Sequence, residues 1–422
     1  MKRIRERHLN PRRILLILTA VLIGCCLYGC GGESHSNSTA TDNGGMGTMS
    51  VSLTDAPVND WKAIYVTIGS ISVCAEPTAS DEDTKTVSGD GCTWKVVAAP
   101  GETYNLLELV NGVTESLGET ELAAGAYRRL RLTLETQSNA RDDEVSGFNI
   151  LGETHPYANY AIDLNDKTVP LQISKNLQTG ILLQSAFRVE ENKYTELLLD
   201  FDASRSIVMT ADGDAYQMKP VIRVVDMKET VRVTGTVSMM SRVSNELAIE
   251  PALVSAQYSD DTAGPIVEAA TATDDAGGYQ LLVEKNKAYS IVVFSNGYAP
   301  ACDFIATFSE EDDVQSDITR NFILDAAEVR PLKMEIAGTT EGSEVDVSIR
   351  QNVEGCSSGD PGVEVIRKRL VAGADSDLSL EVTLPVNKTY TLVTSSGAKT
   401  SSSRMTINPG EGYQETTLFL GQ

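Results

Sequence analysis

The stretch Tyr279-Gln-Leu-Leu-Val-Glu-Lys-Asn-Lys-Ala-Tyr-Ser-Ile-Val-Val293 returns, altered, as Leu380-Glu-Val-Thr-Leu-Pro-Val-Asn-Lys-Thr-Tyr-Thr-Leu-Val393. Both copies carry Asn-Lys-x-Tyr-Ser/Thr, at Asn286–Ser290 and Asn387–Thr391, between apolar runs that read as strands. The flanks echo as well. Val233-Thr-Gly-Thr236 resembles Ile336-Ala-Gly-Thr339, and Asn321-Phe-Ile-Leu324 resembles Thr417-Leu-Phe-Leu420. A period of about a hundred residues is the size of a seven-stranded sandwich. The repeat therefore predicts two related sandwiches, residues 229–328 and 329–422.

Working towards the amino terminus, Lys62-Ala-Ile-Tyr-Val-Thr-Ile-Gly-Ser-Ile-Ser-Val73 alternates apolar residues at 64, 66 and 68, then at 71 and 73. A period of two marks half-buried strands, with Gly69 as a bulge where the phase slips. Tyr127-Arg-Arg-Leu-Arg-Leu-Thr-Leu134 alternates in the same way. Further strands are expected at 169–173, 180–189, 195–201 and 221–225, and a short helix at Tyr104–Val110. Hydrophobic residues make up 41% and aromatics 6%, with 33 glycines among 422 residues, a profile suited to all-β architecture. The expectation is a β-rich domain at 47–226 followed by the two sandwiches: tandem antiparallel β-sandwich domains throughout.

The amino terminus is of a different kind. A basic stretch from Met1 to Arg13 precedes the apolar run Ile14–Gly24, then Cys25, Cys26 and Cys30. That is the layout of an export signal. A retained transmembrane anchor is the alternative, and the placement of the cysteines opposes it. The segment resembles a bacterial lipoprotein signal, in which a cysteine after a Leu-x-Gly box is acylated. Two boxes fit, Leu22-Ile-Gly-Cys25 and Leu27-Tyr-Gly-Cys30. Cys30 is preferred because apolar character ends there, with Cys25 as the alternative. Residues 1–29 then form the signal peptide, and 30–46 the lipidated cysteine with a Gly/Ser/Thr/Asn-rich flexible tether. The acyl chains would hold the protein on a lipid bilayer, in the bacterial outer membrane on this reading, facing the periplasm or the surface.

Export places the remaining Cys74, Cys92, Cys302 and Cys356 in an oxidising space, and their even number predicts two disulfides. Cys74 ends one expected strand and Cys92 opens the next, so a hairpin brings them together. Cys302 with Cys356 follows by elimination and staples two domains.

Net charge is −24, which repels phosphate-rich partners, so nucleic acid is excluded, and no nucleotide-cradling loop is present. The three histidines are His8, His35 and His155, too few and too scattered for histidine acid–base work or a multi-histidine metal site. Gly355-Cys-Ser-Ser-Gly359 has the spacing of a nucleophile elbow, but Asp360-Pro-Gly362 prevents the helix that motif needs, and no histidine follows. No catalytic residues and no cofactor are expected. Trp61 and Trp94 are read as packing residues rather than sugar platforms. Acidic clusters at Asp260–Asp261, Asp274–Asp275 and Glu310–Asp313 lie in loops that could hold calcium. None has the spacing of a dedicated calcium loop; Asp274 and Asp275 are the first candidates.

Two resemblances bear on the modules. Ser52-Leu-Thr-Asp-Ala-Pro57, Ala63–Ile68, Asn111-Gly112, Gly125-x-Tyr127, Leu199-Asp-Phe-Asp-Ala203 and Lys219-Pro-Val-Ile-Arg223 fall in one order. Together they resemble the bacterial lipoprotein module catalogued as domain of unknown function 4382, over about 47–226. That resemblance implies an exported β-rich domain and carries over no site residues. Val233-Thr-Gly-Thr-Val237, Thr273-Asp-Asp-Ala-Gly-Gly-Tyr279 and the Tyr289 strand resemble the carboxypeptidase regulatory-like, transthyretin-type sandwich, an accessory module. The last sandwich keeps the Tyr390 strand and lacks that turn. The functional expectation is a non-catalytic, adhesin-like binding or structural module of the cell envelope, whose partner is an envelope protein or polysaccharide. The alternatives are a calcium- or carbohydrate-binding receptor and a weak carboxylate-based hydrolase. In an assembly variant, the closing segment Thr416–Leu420 would be donated to a neighbour's sheet.

Overall fold

A computed structural model describes residues 45–56, 61–75, 92–136, 157–209, 215–240, 247–260, 262, 264–307, 317–356, 362–373 and 378–421. Cys25 and Cys30, nearly all of the tether, His155, Asp261, Glu310–Asp313 and Ser357–Gly359 lie outside the described residues.

The first sandwich runs through β1 (Met46–Ala56), β2 (Trp61–Ala75), β3 (Trp94–Ala98), β4 (Glu102–Asn105), β5 (Glu115–Ala123), β6 (Gly125–Leu134), β7 (Tyr160–Asp163), β8 (Thr168–Ile173), β9 (Ile181–Val189), β10 (Tyr194–Asp202), β11 (Ile207–Met209), β12 (Tyr216–Met218) and β13 (Ile222–Asp226). One sheet has the order β13-β10-β1-β5, and the larger one is built around β2. Alternation does what the sequence predicts: Met49, Val51 and Leu53 of β1 and Leu197, Leu199 and Phe201 of β10 fill one core with Ile64, Val66, Leu130 and Leu132 of the opposite sheet. The register of β2 against β6 shifts between Ile68 and Ser70, so Gly69 is a bulge. The expected helix at 104–110 shrinks to one 3₁₀ turn, Leu106–Glu108, because Tyr104 is taken by β4.

The second sandwich comprises β14 (Thr230–Met240), β15 (Leu247–Ala248), β16 (Leu253–Asp260), β17 (Gly264–Ala272), β18 (Gly278–Glu284), β19 (Ala288–Phe294), β20 (Ala301–Ala306), β21 (Ile318–Thr319) and β22 (Phe322–Asp325). The third comprises β23 (Val329–Ala337), β24 (Glu344–Gln351), β25 (Val363–Val371), β26 (Leu378–Pro385), β27 (Lys388–Ser396), β28 (Lys399–Ile407) and β29 (Gln414–Phe419). Their topologies correspond. Sheet β18-β14-β22 matches β26-β23-β29, and β17-β16-β19-β20 matches β25-β24-β27-β28.

The repeated residues explain themselves. Asn286 (φ 59°) and Asn387 (φ 58°) turn the chain from β18 to β19 and from β26 to β27 in the left-handed region, which Asn tolerates better than other side chains. Tyr289 and Tyr390 are the largest fully buried side chains, one in each core. One upstream echo is out of register. β14 places Val231 against Val283, three residues before Asn286, and β23 places Arg330 against Leu384, three before Asn387. Val233 therefore corresponds to Leu332, and Ile336 lies further along its strand on the same face. Sequence likeness slid along a strand whose period of two makes such offsets invisible.

Each sandwich also contains a parallel pair: β1 with β10, β14 with β22, and β23 with β29. The sheets are thus mixed, where all-antiparallel sheets were expected. Segment 416–420 completes its own sheet through β29, with Leu418 and Leu420 buried. Both disulfides have the expected pairing. Cys74–Cys92 closes β2 against the start of the β3 hairpin arm, and Cys302–Cys356 ties β20 to the turn after β24.

Candidate functional site

Several of the motifs that set the first module apart converge at one end of it. Parallel register sets Asp55 beside Phe201, Thr54 beside Asp200 and Ala56 beside Asp202. Successive residues of a strand face opposite ways, so Asp55 points into the core while Asp200 and Asp202 point outward. Asp55 is 3% exposed. Its Oδ1 accepts a hydrogen bond from Ala203 N at 3.0 Å, and Oδ2 has no partner among the described residues. Burial pushes its carboxyl well above the usual range; Asp202 and Asp200 add to the rise, and the Ala203 amide opposes it.

Asp202 caps the single helical turn α1 (Ala203–Ser206), accepting from Arg205 N at 3.2 Å and pairing with the Arg205 guanidinium at 2.5 Å. Arg223 of β13 donates from Nη2 to Asp200 at 2.8 Å and to the Leu282 carbonyl at 3.2 Å. Its Nη1 lies 3.5 Å from Glu268. Burial raises the Asp200 carboxyl, and Arg223 counters that rise.

Glu268, on β17, is the second module's half of this contact. It accepts from Tyr289 Oη at 2.7 Å, Lys287 Nζ at 3.1 Å and Glu284 N at 3.0 Å. Its carboxylate is thereby almost fully partnered in a side chain only 6% exposed. Asn111-Gly112 makes another link. With φ of 57° and 79° this pair forms a left-handed turn whose Asn111 N donates to Thr271 Oγ1 at 3.0 Å and whose Nδ2 donates to the Gly278 carbonyl at 3.1 Å.

The third module joins the same junction. Lys219 pairs with Glu344, while Arg369 grips Asp346 at 2.8 Å and donates to the Arg205 carbonyl at 3.4 Å. Gln257 of β16 bonds both backbone groups of Glu364, accepting from its N at 2.9 Å and donating to its O at 2.7 Å. Val292, on the outer face of β19, belongs to the third module's core. The three sandwiches therefore meet mutually, and residues from all three line a cleft of about 570 Å³. Its polar lining includes Asp202, Arg205, Gln257, Glu364 and Arg367, with Phe294 as the aromatic surface. Two ion pairs in it are closed, Asp202 with Arg205 and Glu364 with Arg367 at 2.8 Å, and Glu250 and Lys368 line it as well.

The calcium candidates divide. Asp274 Oδ1 accepts from Ala276 N at 2.9 Å and Gly278 N at 2.8 Å, and Oδ2 faces Asn111 Nδ2 at 3.4 Å, so this carboxylate builds the turn and its docking contact. Asp275 is exposed beside it. Among the described residues no three His, Cys, Asp or Glu side chains gather as a metal cluster. Trp61 packs edge-on against Tyr216, and Trp94 carries Arg131 over its ring at 4.4 Å. Reading the sequence brought out neither Arg205, Gln257, Glu268 nor Arg369 as junction residues. A glutamine within the apolar run Leu253–Tyr258 was the one available signal.

Residues 46–220 match the family model "Domain of unknown function (DUF4382)". The matched region spans β1 to the end of β12 and carries Asp55, Asn111, Asp200, Asp202, Arg205 and Lys219 of the junction; Arg223 lies just beyond it. No curated protein matches the chain. Among solved structures, the Bacillus anthracis TIE protein is similar at 10% identity and a TM-score of 0.18, over 89% of this chain and 51% of its own. The chain thus spans about half the length of that structure. A Streptococcal ancillary pilin is similar at 11% identity and a TM-score of 0.19, over 89% of this chain and 99% of its own. The CBM26-family module CBMbc of Eubacterium rectale Amy13K, solved with maltoheptaose, is similar at 12% identity and a TM-score of 0.16, over 45% and 92%.

Proposed function

We propose that the protein is a bacterial envelope lipoprotein, acylated at Cys30, that serves as a non-catalytic structural or binding module. The observation that carries the reading is the pairing of all four cysteines beyond the leader, which suits an exported chain, behind the basic and apolar segment that ends at Cys30. The architectural half is supported by side chains such as Arg223, Lys219 and Gln257 that tie the sandwiches together, and by the likeness of residues 229–328 in sequence to the accessory, carboxypeptidase regulatory-like type, with 329–422 as a related sandwich. Radiolabelled palmitate incorporation in the native bacterium, with Cys30→Ala and Cys25→Ala variants, tests the anchor. Loss of label with Cys30→Ala alone supports the assignment; loss only with Cys25→Ala moves it, and no label in the unaltered protein overturns it. Protease shaving of intact cells then decides whether the module faces outward.

A second reading, a carbohydrate receptor, draws on the junction cleft, whose neutralised ion pairs and Phe294 are the chemistry that sugar hydroxyls and faces engage. A rise in melting temperature with an oligosaccharide panel would favour it.

A further inference from the structure

The second and third sandwiches are joined covalently twice. The chain passes from β22 to β23 through Ala326, Ala327 and Glu328, and the Cys302–Cys356 disulfide joins β20 to the turn after β24. The bridge has a Cα–Cα span of 5.4 Å, while the chain between its ends covers a sequence separation of 54. Everything from Asp303 to Gly355 therefore lies on a closed loop, including β21, β22, β23 and β24.

We propose that this protein is a tension-bearing link and that Cys302–Cys356 carries load around the chain connection between its second and third sandwiches. The inference rests on the anchored reading above, since tension needs one fixed end. A pull between the amino-terminal anchor and a partner held by the last sandwich travels along the covalent chain. At Cys302 it meets a short bridge and a long folded loop, and the short path takes the force. The loop is left unloaded.

What the loop contains makes the bypass consequential. Without the bridge, tension would reach the second sandwich at Thr230 and leave it at Asp325. Those are opposite ends of the parallel neighbours β14 and β22, whose ladder runs only from Val237–Met240 against Phe322–Asp325, with two further pairs from β21. Pulling opposite ends of parallel neighbours slides one along the other, and the force would fall on this short ladder together with the backbone bonds that tie Asp325 and Ala327 to Ala299 and Gly297. Load would then cross residues 326–328 directly into β23, the central strand of its sheet in the third sandwich. With the bridge closed, β22, the connection and β23 all drop out of the path. Cys74–Cys92, with a separation of 18, removes a second loop from the first module in the same way.

Single-molecule stretching of the mature chain, held through its two ends, tests this. The unaltered protein should release less length on full unfolding than the Cys302→Ala/Cys356→Ala variant. The difference is about 190 Å, the separation of 54 at about 3.5 Å per residue. The variant should also show an added rupture at lower force, from the β14–β22 ladder. Because the double variant could misfold, the unaltered protein refolded and stretched in a dithiol is the second arm. There both bridges open, and the released length should grow by about 250 Å. Equal released lengths would overturn the bypass, and equal rupture forces would overturn its protective role. Neither result touches the anchor, which the palmitate label decides separately.

Discussion

Asp55 is a carboxylic acid placed where a charge is costly. Its folded-state acidity is shifted upward by burial, so the folded protein holds a proton there more firmly than the unfolded chain does. The stability this brings is fully present below the unfolded value of about 4 and is lost as pH rises from there through the raised folded value. Asp55→Asn keeps the acceptor for Ala203 N and removes the ionisation. Thermal melts from pH 4 to 8 should therefore show the variant gaining on the unaltered protein as pH rises. A difference that stays flat across that range would mean the carboxylate is not held neutral. Gly235 is constrained differently: a Cβ there would come within 1.6 Å of the Arg320 carbonyl, which also accepts from Tyr279 Oη at 2.7 Å. Gly235→Ala should cost about 1–3 kcal/mol in denaturant titration, the range of overpacking. The sequence showed this glycine as part of an echo and of a family resemblance. Its reason, a backbone passing close from far along the chain, leaves no local trace.

At the scale of strands and turns, much was legible, because alternation and turn chemistry are local. The bulge at Gly69, the Asn-Lys hairpins and the Cys74–Cys92 hairpin all follow from neighbours in sequence. The parallel ladders do not. Pairing β23 with β29 depends on a long crossover, and β29 reads equally well as a strand free for donation until its partner is known. The helix expected at 104–110 failed for the related reason that β2 offers Tyr104 and Asn105 an edge to join. The left-handed turns give an element-scale prediction. Asn286→Ala and Asn387→Ala should each cost about 1–2 kcal/mol, and the corresponding changes to Gly much less. Equal losses for Ala and Gly would show that the asparagine side chain, and not its backbone conformation, holds the hairpin.

On the scale of the whole molecule, the sandwiches are held by polar contacts that single residues supply. Gln257→Ala would leave both backbone groups of Glu364 buried without partners, at a cost of about 1–3 kcal/mol. Arg223→Ala would leave Asp200 and Glu268 without their shared cation. Arg223→Ala, which cuts a contact of the first module with the second, should split a single calorimetric transition into separate ones for the first module and for the pair that follows. One unsplit transition would show that the Asn111 turn and the Lys219–Glu344 pair suffice. Motifs from Asp55 to Arg223 were visible in the sequence as a signature and silent about their purpose, since contacts such as Asn111 with Thr271, Arg223 with Glu268 and Lys219 with Glu344 exist only once separate modules meet. The parallel pairing of first and last strands has a further consequence, for the history of the molecule. A sandwich whose chain comes in at one end and goes out at the other can be copied in tandem with only a three-residue connector. Its length is then open to change by gene duplication, one finished unit at a time, and matching hairpins such as those at Asn286 and Asn387 are the mark such a copy would leave.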